Sequence, residues 1–176
     1  MAYLEKITAN KTWVCPKSGD YKIIAVGGGV DGSQNNYLGR AGTLNMGVFT
    51  VAQGASYAVA IGQRNTNNGG TTSVGSLISA SGGAGTFFVS TPSAVRSCGG
   101  EGGYTEDGVY GGVGAVLGYI EGDVPVTYGY TATKNGGAAG QSGRGYGAGG
   151  GSTGAASGMG STYTNGTNGV VIIQEV

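Results

Sequence analysis

The chain has 176 residues, and 41 of them are glycine, against roughly 7% glycine in average proteins. Nine basic and nine acidic residues cancel, which excludes long-range attraction to nucleic acid or to an anionic membrane. Charged residues make up only 10% of the chain and hydrophobic residues 39%, so we expect a folded protein and not a disordered one.

The sequence contains neither a secretory signal nor a membrane span. Residues 1–10 lack the basic and apolar regions of a signal peptide. No apolar stretch reaches the roughly 18 residues that a membrane-spanning helix needs. We therefore expect synthesis in a cytoplasm without membrane insertion.

Short runs of β-forming residues, separated by turn residues, predict strands through the first half of the chain. In the run 57–61 the larger side chains share one face and the alanines Ala58 and Ala60 share the other, which predicts close packing on the alanine side. Residues 170–173 are four β-branched residues in a row, which predicts a central strand covered on both faces. The predicted strands are 11–14, 21–26, 44–51, 57–61, 74–80 and 170–173.

The pattern of short strands predicts an all-β fold, a sandwich or jelly roll with almost no helix. Glycine intervenes almost everywhere, and no segment of 10–15 residues shows an uninterrupted helical period. The length suits a single domain, 1–176. We divide it into a strand-rich part, 1–98, and a glycine-rich part, 99–176, which closes with the strand 170–174.

Glycines of the second half cluster in 99–122 and 136–169, in places at every third position. A three-residue spacing matches the polyproline II helix, but the period does not persist and proline is scarce, so collagen is excluded. We expect short polyglycine II segments lying side by side, with their N–H and C=O groups bonded to neighbouring segments. The glycines of the first half are predicted to serve turns between strands. The spaced glycines are Gly108, Gly111, Gly114, Gly137, Gly140 and Gly143.

Three stretches of the chain resemble the glycine-rich domains of bacteriophage fibre and adhesin proteins. Residues 13–29 (Trp-Val-Cys-Pro-Lys-Ser-Gly-Asp-Tyr-Lys-Ile-Ile-Ala-Val-Gly-Gly-Gly) resemble the opening strand–Pro-x-x-Gly–strand–Gly-Gly-Gly pattern of that family. Residues 71–83 resemble its internal Ser-Phe-Gly…Ala-x-Gly-Gly segment, with Val74 in place of the usual aromatic residue. Residues 166–173 resemble its final glycine-rich turn and strand. The three occur in the same order, so the resemblance covers nearly the whole chain.

The resemblance implies a jelly-roll-like β core with polyglycine II-type segments, in a protein of the virion. It implies other virion proteins as partners and a homo-oligomer, with a trimer expected by analogy with fibres. Because the chain begins at its own Met1, we expect a free-standing virion protein and not a fragment of a long fibre.

The residues of catalytic chemistry are mostly missing. The chain has no histidine, which excludes Ser-His-Asp and Cys-His catalysis and most zinc sites. Cys15 and Cys98 are expected to be core or incidental thiols, and their spacing neither requires nor excludes a disulfide. The loop carboxylates are expected to be solvated, with a weak cation site involving Asp107, Glu121 or Asp123 left open. We expect no enzyme, no cofactor and no dedicated metal site.

Tyrosine is the residue type that points to recognition. The chain has 11 tyrosines against three phenylalanines, and most lie in its second half. Tyrosine among glycine, serine and asparagine is typical of adaptable binding surfaces, because it offers area and a hydroxyl at low entropic cost. The alternative is that these tyrosines pack between segments or subunits. The candidates for receptor contact are Tyr104, Tyr110, Tyr119, Tyr128 and Tyr130.

Two functions remain in competition on the sequence. The first is a fibre or tail-tip module that attaches to a host-surface saccharide or protein. The second is a structural decoration or cement protein of the phage capsid or tail, because glycine faces and low charge suit tight subunit packing.

Overall fold

The computed structural model describes residues 3–32, 37–88, 97–98, 118–121, 124–127, 146–150, 152–153 and 165–176, and this part is all-β without a helix. The predicted all-β class is confirmed. The strands are β1 (Leu4–Ile7), β2 (Lys11–Val14), β3 (Gly19–Val26), β4 (Tyr37–Gly39), β5 (Leu44–Val51), β6 (Ser56–Ala60), β7 (Thr72–Val74), β8 (Ile78–Ala80), β9 (Thr86–Phe88), β10 (Ser97–Cys98), β11 (Gly118–Glu121), β12 (Val124–Thr127), β13 (Ser152–Thr153) and β14 (Val170–Glu175).

Two antiparallel four-stranded sheets pack face to face as a sandwich. The first sheet has the order β1-β14-β3-β5 and the second has the order β2-β6-β7-β8. The chain crosses between the sheets several times, since β3 and β5 belong to the first and β2 and β6 to the second. The finer expectation of jelly-roll connections stays a prediction.

The core lies between the two sheets and follows from strict alternation along each strand. In β3, Tyr21, Ile23 and Ala25 are completely buried, and Val171 and Ile173 of β14 lie against them across the pairing Ile173↔Ile23. Because successive side chains of a strand point to opposite faces, this inward set fixes the register of the whole first sheet. The second sheet supplies the other half of the core from Trp13, Val59, Val74, Ile78 and Ala80.

Trp13 is the largest buried side chain, and aromatic rings surround it. Its ring meets the edge of Tyr21 at 5.5 Å and stacks on Tyr57 at 5.9 Å, both favourable geometries for aromatic pairs. Its indole Nε1 donates to the Tyr3 hydroxyl at 3.1 Å, so the one polar atom of the ring is satisfied. Cys15 lies in the same core as a free buried thiol.

Most of the predicted strands are present, with two corrections. The expected strand 74–80 is a hairpin, β7 and β8, because Gly75 adopts a positive φ of 47° and Leu77 N–H bonds back to Val74 O at 2.9 Å. The expected packing on the alanine side of β6 is wrong, because Ala58 and Ala60 face solvent. The larger side chains, Tyr57, Val59 and Ile61, point to the core instead, and strand β1 was not foreseen.

Directly after β3 the chain leaves the sandwich as Gly27-Gly28-Gly29 and becomes the centre of a bundle of extended segments. The N–H groups of the three glycines donate to three different segments, at Thr43 O (3.0 Å), Gly70 O (2.9 Å) and Thr167 O (2.8 Å). We call this assembly the glycine bundle.

The Cα hydrogens of the same three glycines face three further segments. A methyl group added at Gly27, Gly28 or Gly29 would collide with the carbonyl of Ser81, Gln63 or Ala148 respectively. Successive residues of this segment therefore point their N–H groups in three different directions. A backbone whose N–H groups return to the same direction after three residues has the threefold symmetry of polyglycine II. The six surrounding segments, counted among the described residues, are 40–43, 61–63, 69–70, 81–83, 147–150 and 166–169.

The bundle confirms one expectation about glycine and overturns another. Segments 147–150 and 166–169, from the second half, pack side by side as predicted. The expectation that first-half glycines only serve turns is wrong, because Gly27–Gly29 form the centre and four of the surrounding segments come from residues before 98. The spaced glycines from Gly108 to Gly143 lie outside the described residues.

The centre of the bundle should tolerate no side chain. Gly28→Ala places a methyl 2.7 Å from the Gln63 carbonyl carbon, and backbone cannot rotate away as a side chain does. We expect a loss of about 3 kcal/mol in the free energy of unfolding, measured by urea denaturation. Gly19→Ala is the matched control, because nothing lies within 4 Å of its added methyl, and it should change stability by less than about 1 kcal/mol. Equal effects of the two substitutions would contradict the bundle.

Tyr21 should make the stability of the sandwich depend on alkaline pH. Burial, followed by the hydrogen bond and charge of Cys15, raises the pKa of Tyr21 to about 12 from its ordinary 10.0, and its hydroxyl donates to Lys17 O at 2.8 Å. Because the pKa is raised in the folded protein, the stabilisation by the protonated Tyr21 hydroxyl is complete below pH 10 and is lost as the pH rises from 10 through 12. Tyr21→Phe should lower stability by about 1 kcal/mol at pH 7 and reduce the decline between pH 10 and pH 12. Parallel declines in urea unfolding of both proteins would disprove this role of Tyr21.

Candidate functional site: the distal end of the glycine bundle

All segments of the glycine bundle extend from one end of the sandwich. The segments 27–29, 61–63 and 81–83 follow β3, β6 and β8, and the segments 40–43, 69–70 and 166–169 lead into β5, β7 and β14. The described turn 64–68 and the segment ends at Asp31 and Asn165 therefore lie at the far end of the bundle. We call this the distal end, and we call the opposite end of the sandwich, where Tyr3 O accepts from Glu175 N–H, the base.

A charged group ties three segments together at the distal end. Asp31, the second residue after Gly29, is only 8% exposed, and both of its carboxylate oxygens accept from Arg64 Nη1, at 2.9 and 3.0 Å. Its Oδ1 also accepts from the N–H of Gly166 at 2.7 Å. We call Asp31, Arg64 and Gly166, with Asn165, the distal latch.

Arg64 is the centre of the distal latch. Its Nη1 also donates to Asn165 Oδ1 at 3.0 Å, and its backbone N–H donates to Asn168 Oδ1 at 2.9 Å. One residue thus holds the outgoing segment of Asp31 and both ends of the returning segment 165–168. Because the carboxylate of Asp31 is nearly buried, loss of its cationic partner would lower the stability of the folded state. The latch therefore holds the ends of these segments at fixed positions relative to one another.

The turn that follows Arg64 is built from short polar side chains bonded to backbone. Asn65 Oδ1 accepts from Asn67 N–H at 3.2 Å, and Asn68 Oδ1 accepts from Gly85 N–H at 3.0 Å. Asparagine favours such turns because its amide replaces a backbone partner. All residues from Gln63 to Asn68 are exposed, so this turn is a hydrophilic part of the distal surface.

Short strand pairs continue outward from the bundle. β4 pairs with β9, and Gly39 of β4 donates to Gly150 O at 3.0 Å. β13 begins two residues after Gly150 and pairs with β10, and β10 in turn contacts β11. β11 and β12 form an antiparallel hairpin. The hairpin β11–β12 is thus connected to the distal end of the glycine bundle through β13 and β10.

Only one of the five tyrosine candidates falls on a described element. Tyr119 lies in β11, in register with Val126 of β12. Of the three carboxylates named for a weak cation site, Glu121 is the last residue of β11. Asp107 and Asp123 lie outside the described residues, so the structure does not test that site. The other tyrosine candidates, also outside the described residues, are Tyr104, Tyr110, Tyr128 and Tyr130.

The distal latch was missed by reasoning from the sequence. Asp31, Arg64 and Asn165 are separated by 33 and 101 positions, and none belongs to a recognisable motif. Their proximity depends on which segments of the bundle are neighbours, and that depends on the order in which the strands of the sandwich connect. A lone Asp two residues after three glycines was the only local signal.

The described residues offer little for metal chemistry or membrane insertion. Within them, no three His, Cys, Asp or Glu side chains gather as a metal ion would require, and none of them belongs to a helix suited to crossing a bilayer. What the described part of the distal end presents is the exposed polar turn 63–68 beside the ion pair of Asp31 and Arg64.

Neither family models nor curated protein sequences supply a relative. The chain matches no family model, and no curated protein shows significant sequence similarity to it. The resemblance to phage glycine-rich domains therefore remains a resemblance of motifs.

The distal latch should control the returning segment 165–168 more than the sandwich. Arg64→Met keeps the apolar stem and removes the cation that pairs with Asp31, whose Oδ1 still accepts from the Gly166 N–H. We expect a loss of about 1–3 kcal/mol in unfolding free energy and faster hydrogen exchange at Gly166 and Thr167, with β14 less affected. Asn67→Ala, on the same turn, is the control and should leave exchange at Gly166 unchanged. Unaltered exchange at Gly166 in Arg64→Met would refute the latch.

Proposed function

We propose that the chain is a non-enzymatic attachment module of a bacteriophage virion, a fibre or tail-tip protein that contacts a host-surface saccharide or protein with the distal end of the glycine bundle. One observation carries the proposal. The glycine bundle places its described turn, 64–68, and the distal latch away from the sandwich, and so separates a presenting end from a base.

The longest insertion in the chain supports the same proposal. Between Phe88 of β9 and Tyr146, which re-enters the bundle, lie residues 89–145, and this insertion contains all five tyrosine candidates. Its hairpin β11–β12, with Tyr119, is reached through β13 and β10. A chain segment that is rich in tyrosine and supported by a rigid scaffold is the usual composition of a recognition surface.

The rigidity of the glycine bundle suits it to hold a binding surface in a fixed position. The Gly27–Gly29 centre has main-chain hydrogen bonds in three directions, and the distal latch fixes the ends of the segments. Loops on a preorganised scaffold lose less conformational entropy on binding than loops on a mobile one. A stiff glycine bundle therefore suits attachment without catalysis.

The competing proposal, a decoration or cement protein of the capsid or tail, is favoured by a different surface. On the outer face of the first sheet, Met46 is 53% exposed and Val48 is 61% exposed. Exposed apolar side chains grouped on one face are typical of a surface that another protein covers. The two proposals place the partner at different surfaces of the molecule. The attachment proposal places a receptor at the distal end, and the competing proposal places a virion protein on the outer face of the first sheet.

Substitution of the tyrosines separates the two proposals. Purified protein with Tyr119→Ser, and variants with Tyr104→Ser, Tyr110→Ser, Tyr128→Ser or Tyr130→Ser, should bind host-cell envelopes more weakly. Loss of an aromatic anchor at an interface lowers affinity by about tenfold or more. Binding is measured by titrating labelled protein onto envelope fragments.

The control for these titrations is Val14→Ser, an exposed substitution on the sandwich, which should bind as the unmodified protein does. Envelope binding that all five tyrosine variants retain would contradict the attachment proposal. Electron microscopy of virions then tests the alternative, because a decoration protein is present in high copy along the capsid or tail.

A further inference from the structure

Asparagine followed by glycine is a dipeptide that can react with itself. The glycine nitrogen attacks the side-chain carbonyl carbon of the asparagine, a five-membered imide closes, and ammonia leaves. Glycine favours this attack because it brings no side chain close to the nitrogen. Because both reacting atoms belong to one dipeptide, the groups that surround them decide the rate. The sequence contains four such dipeptides, of which the structure describes 68–69, 165–166 and 168–169 but not 135–136.

The pair Asn68–Gly69 is held by uncharged main-chain groups. The Gly69 N–H donates to Gly83 O at 2.8 Å, and Asn68 Oδ1 accepts from the Gly85 N–H at 3.0 Å. A carbonyl oxygen accepts a hydrogen bond, but it is far too weak a base to remove the proton. The Gly69 nitrogen therefore keeps its proton, and these contacts oppose the attack.

The pair Asn168–Gly169 is held in the same way. The Gly169 N–H donates to Gly62 O at 2.8 Å, and Asn168 Oδ1 accepts from the backbone N–H of Arg64 at 2.9 Å. Both partners are again neutral main-chain groups, and they fix the dipeptide directly before β14. At these two pairs we expect order without reactivity.

The pair Asn165–Gly166 has charged groups at the same two positions. The Gly166 N–H donates to the carboxylate Oδ1 of Asp31 at 2.7 Å, and Asn165 Oδ1 accepts from the guanidinium Nη1 of Arg64 at 3.0 Å. A carboxylate within hydrogen-bond reach of a proton can act as a general base. A cation at a carbonyl oxygen stabilises the negative charge that develops there during attack. The distal latch thus places on one dipeptide the two groups that imide formation requires.

We propose that Asn165–Gly166 is a self-modification site, at which the distal latch converts the dipeptide to a cyclic imide. Asp31 is the general base, and Arg64 stabilises the oxyanion. The reaction uses no receptor, so it is independent of the attachment proposal.

The atoms of the step balance within the latch and one leaving ammonia. Asp31 Oδ1 takes the proton of the Gly166 nitrogen, and the electron pair of that nitrogen forms the bond to Asn165 Cγ. The charge that develops on Asn165 Oδ1 is held by Arg64 Nη1. Collapse of the tetrahedral intermediate breaks the bond from Cγ to Nδ2, and Nδ2 leaves as ammonia with the proton from Asp31. Asp31 is then a carboxylate again.

The two halves of the dipeptide differ in exposure as the reaction requires. Gly166 is buried beside Asp31, which is itself only 8% exposed, so few waters compete for the base. Asn165 is exposed, so ammonia can leave and water can reach the imide. Addition of one water to either imide carbonyl opens the ring, and the product is an aspartate or an isoaspartate at position 165.

The modification changes the latch that produces it. The imide has no N–H at Gly166, so Asp31 loses that donor. The opened product carries a second carboxylate beside Arg64, and like charges that share one cation weaken each other's contact with it. Isoaspartate also adds one methylene to the main chain before the segment 166–169. We therefore expect a covalent change at the distal end while the sandwich stays intact.

The three pairs of one molecule provide the first test, which needs no substitution. The full chain is incubated at neutral pH, either folded or unfolded in guanidinium chloride, and imide and isoaspartate at each pair are quantified by peptide mapping. Asn165 should react at least about tenfold faster in the folded chain, because a general base accelerates a reaction by that much or more. Asn68 and Asn168 should react more slowly in the folded chain than in the unfolded one. A folded rate at Asn165 below its unfolded rate would show that the latch protects the pair, and would overturn the proposal.

Two substitutions test the two roles. Asp31→Asn keeps an oxygen that can accept from the Gly166 N–H but cannot take its proton, and should slow the reaction at Asn165 at least about tenfold. Arg64→Met removes the cation and should slow it by about tenfold or more, although it makes Gly166 exchange faster with solvent. A latch that only holds the segment would give the opposite result. The reaction would then be faster in both variants, because a looser segment reaches the geometry of attack more often.

The reaction at Asn168 in the same samples is the control for folding. Its rate should not change in either variant, because its main-chain partners at Gly62 and Arg64 remain. Asn165→Gln, which would have to close a six-membered ring, should give no imide at this position and checks the assignment of the mapped products. An unchanged or faster reaction at Asn165 beside an unchanged reaction at Asn168 would overturn the proposal. If a variant accelerates Asn168 as well, its bundle has opened, and the comparison of folded with unfolded chain decides.

Discussion

The fold depends on a constraint that applies to every buried peptide group: its N–H and C=O must find partners. In a sheet the neighbouring strand supplies them in one plane. Gly27–Gly29 are surrounded on all sides, and their N–H groups find partners in three directions, at Thr43, Gly70 and Thr167. This is feasible only where no side chain separates the backbones, because a methyl at any of the three glycines would collide with a neighbouring carbonyl. The high glycine content is therefore the condition for burying backbone without a sheet.

The sandwich and the glycine bundle depend on each other. β3 leads into the bundle centre, and β14 is entered from the segment 166–169, so the registry Val26↔Val170 in the sheet continues into the contacts of the bundle. Thr72 shows the connection at one residue. Its hydroxyl, completely buried, accepts from Gly62 N–H at 2.9 Å where β7 begins. The apolar core of the sandwich supplies burial energy, and the bundle, which has almost no side chains to bury, is ordered by the strands that enter it.

The sequence predicted those parts of the fold that local patterns encode. Strands 21–26 and 44–51 agree with β3 and β5 because alternation and β-branching are local properties. The hairpin of β7 and β8 was missed because Gly75, Ser76 and Leu77 separate two strands of only three residues each. The sequence predicted that glycine-rich segments would pack side by side, but it placed them in the second half of the chain alone. Glycine composition indicates that backbones approach each other closely, but it does not tell which segments are neighbours. The distal latch could not be predicted, because Asp31, Arg64 and Asn165 meet only after the order of all strands is set.

The origin of stability in the glycine bundle bears on how its distal end can vary. Among the described residues, the bundle is held by main-chain hydrogen bonds and by the ion pair of the nearly buried Asp31 with the exposed Arg64. The described contacts of both kinds are made by residues outside 89–145, the insertion between β9 and Tyr146. Substitutions in such an insertion therefore have little effect on the folding of the scaffold, provided that the glycines and the latch remain. The attachment function that we propose would require this separation when the receptor changes, because the proposed binding residues and the stabilising residues then belong to different parts of the chain.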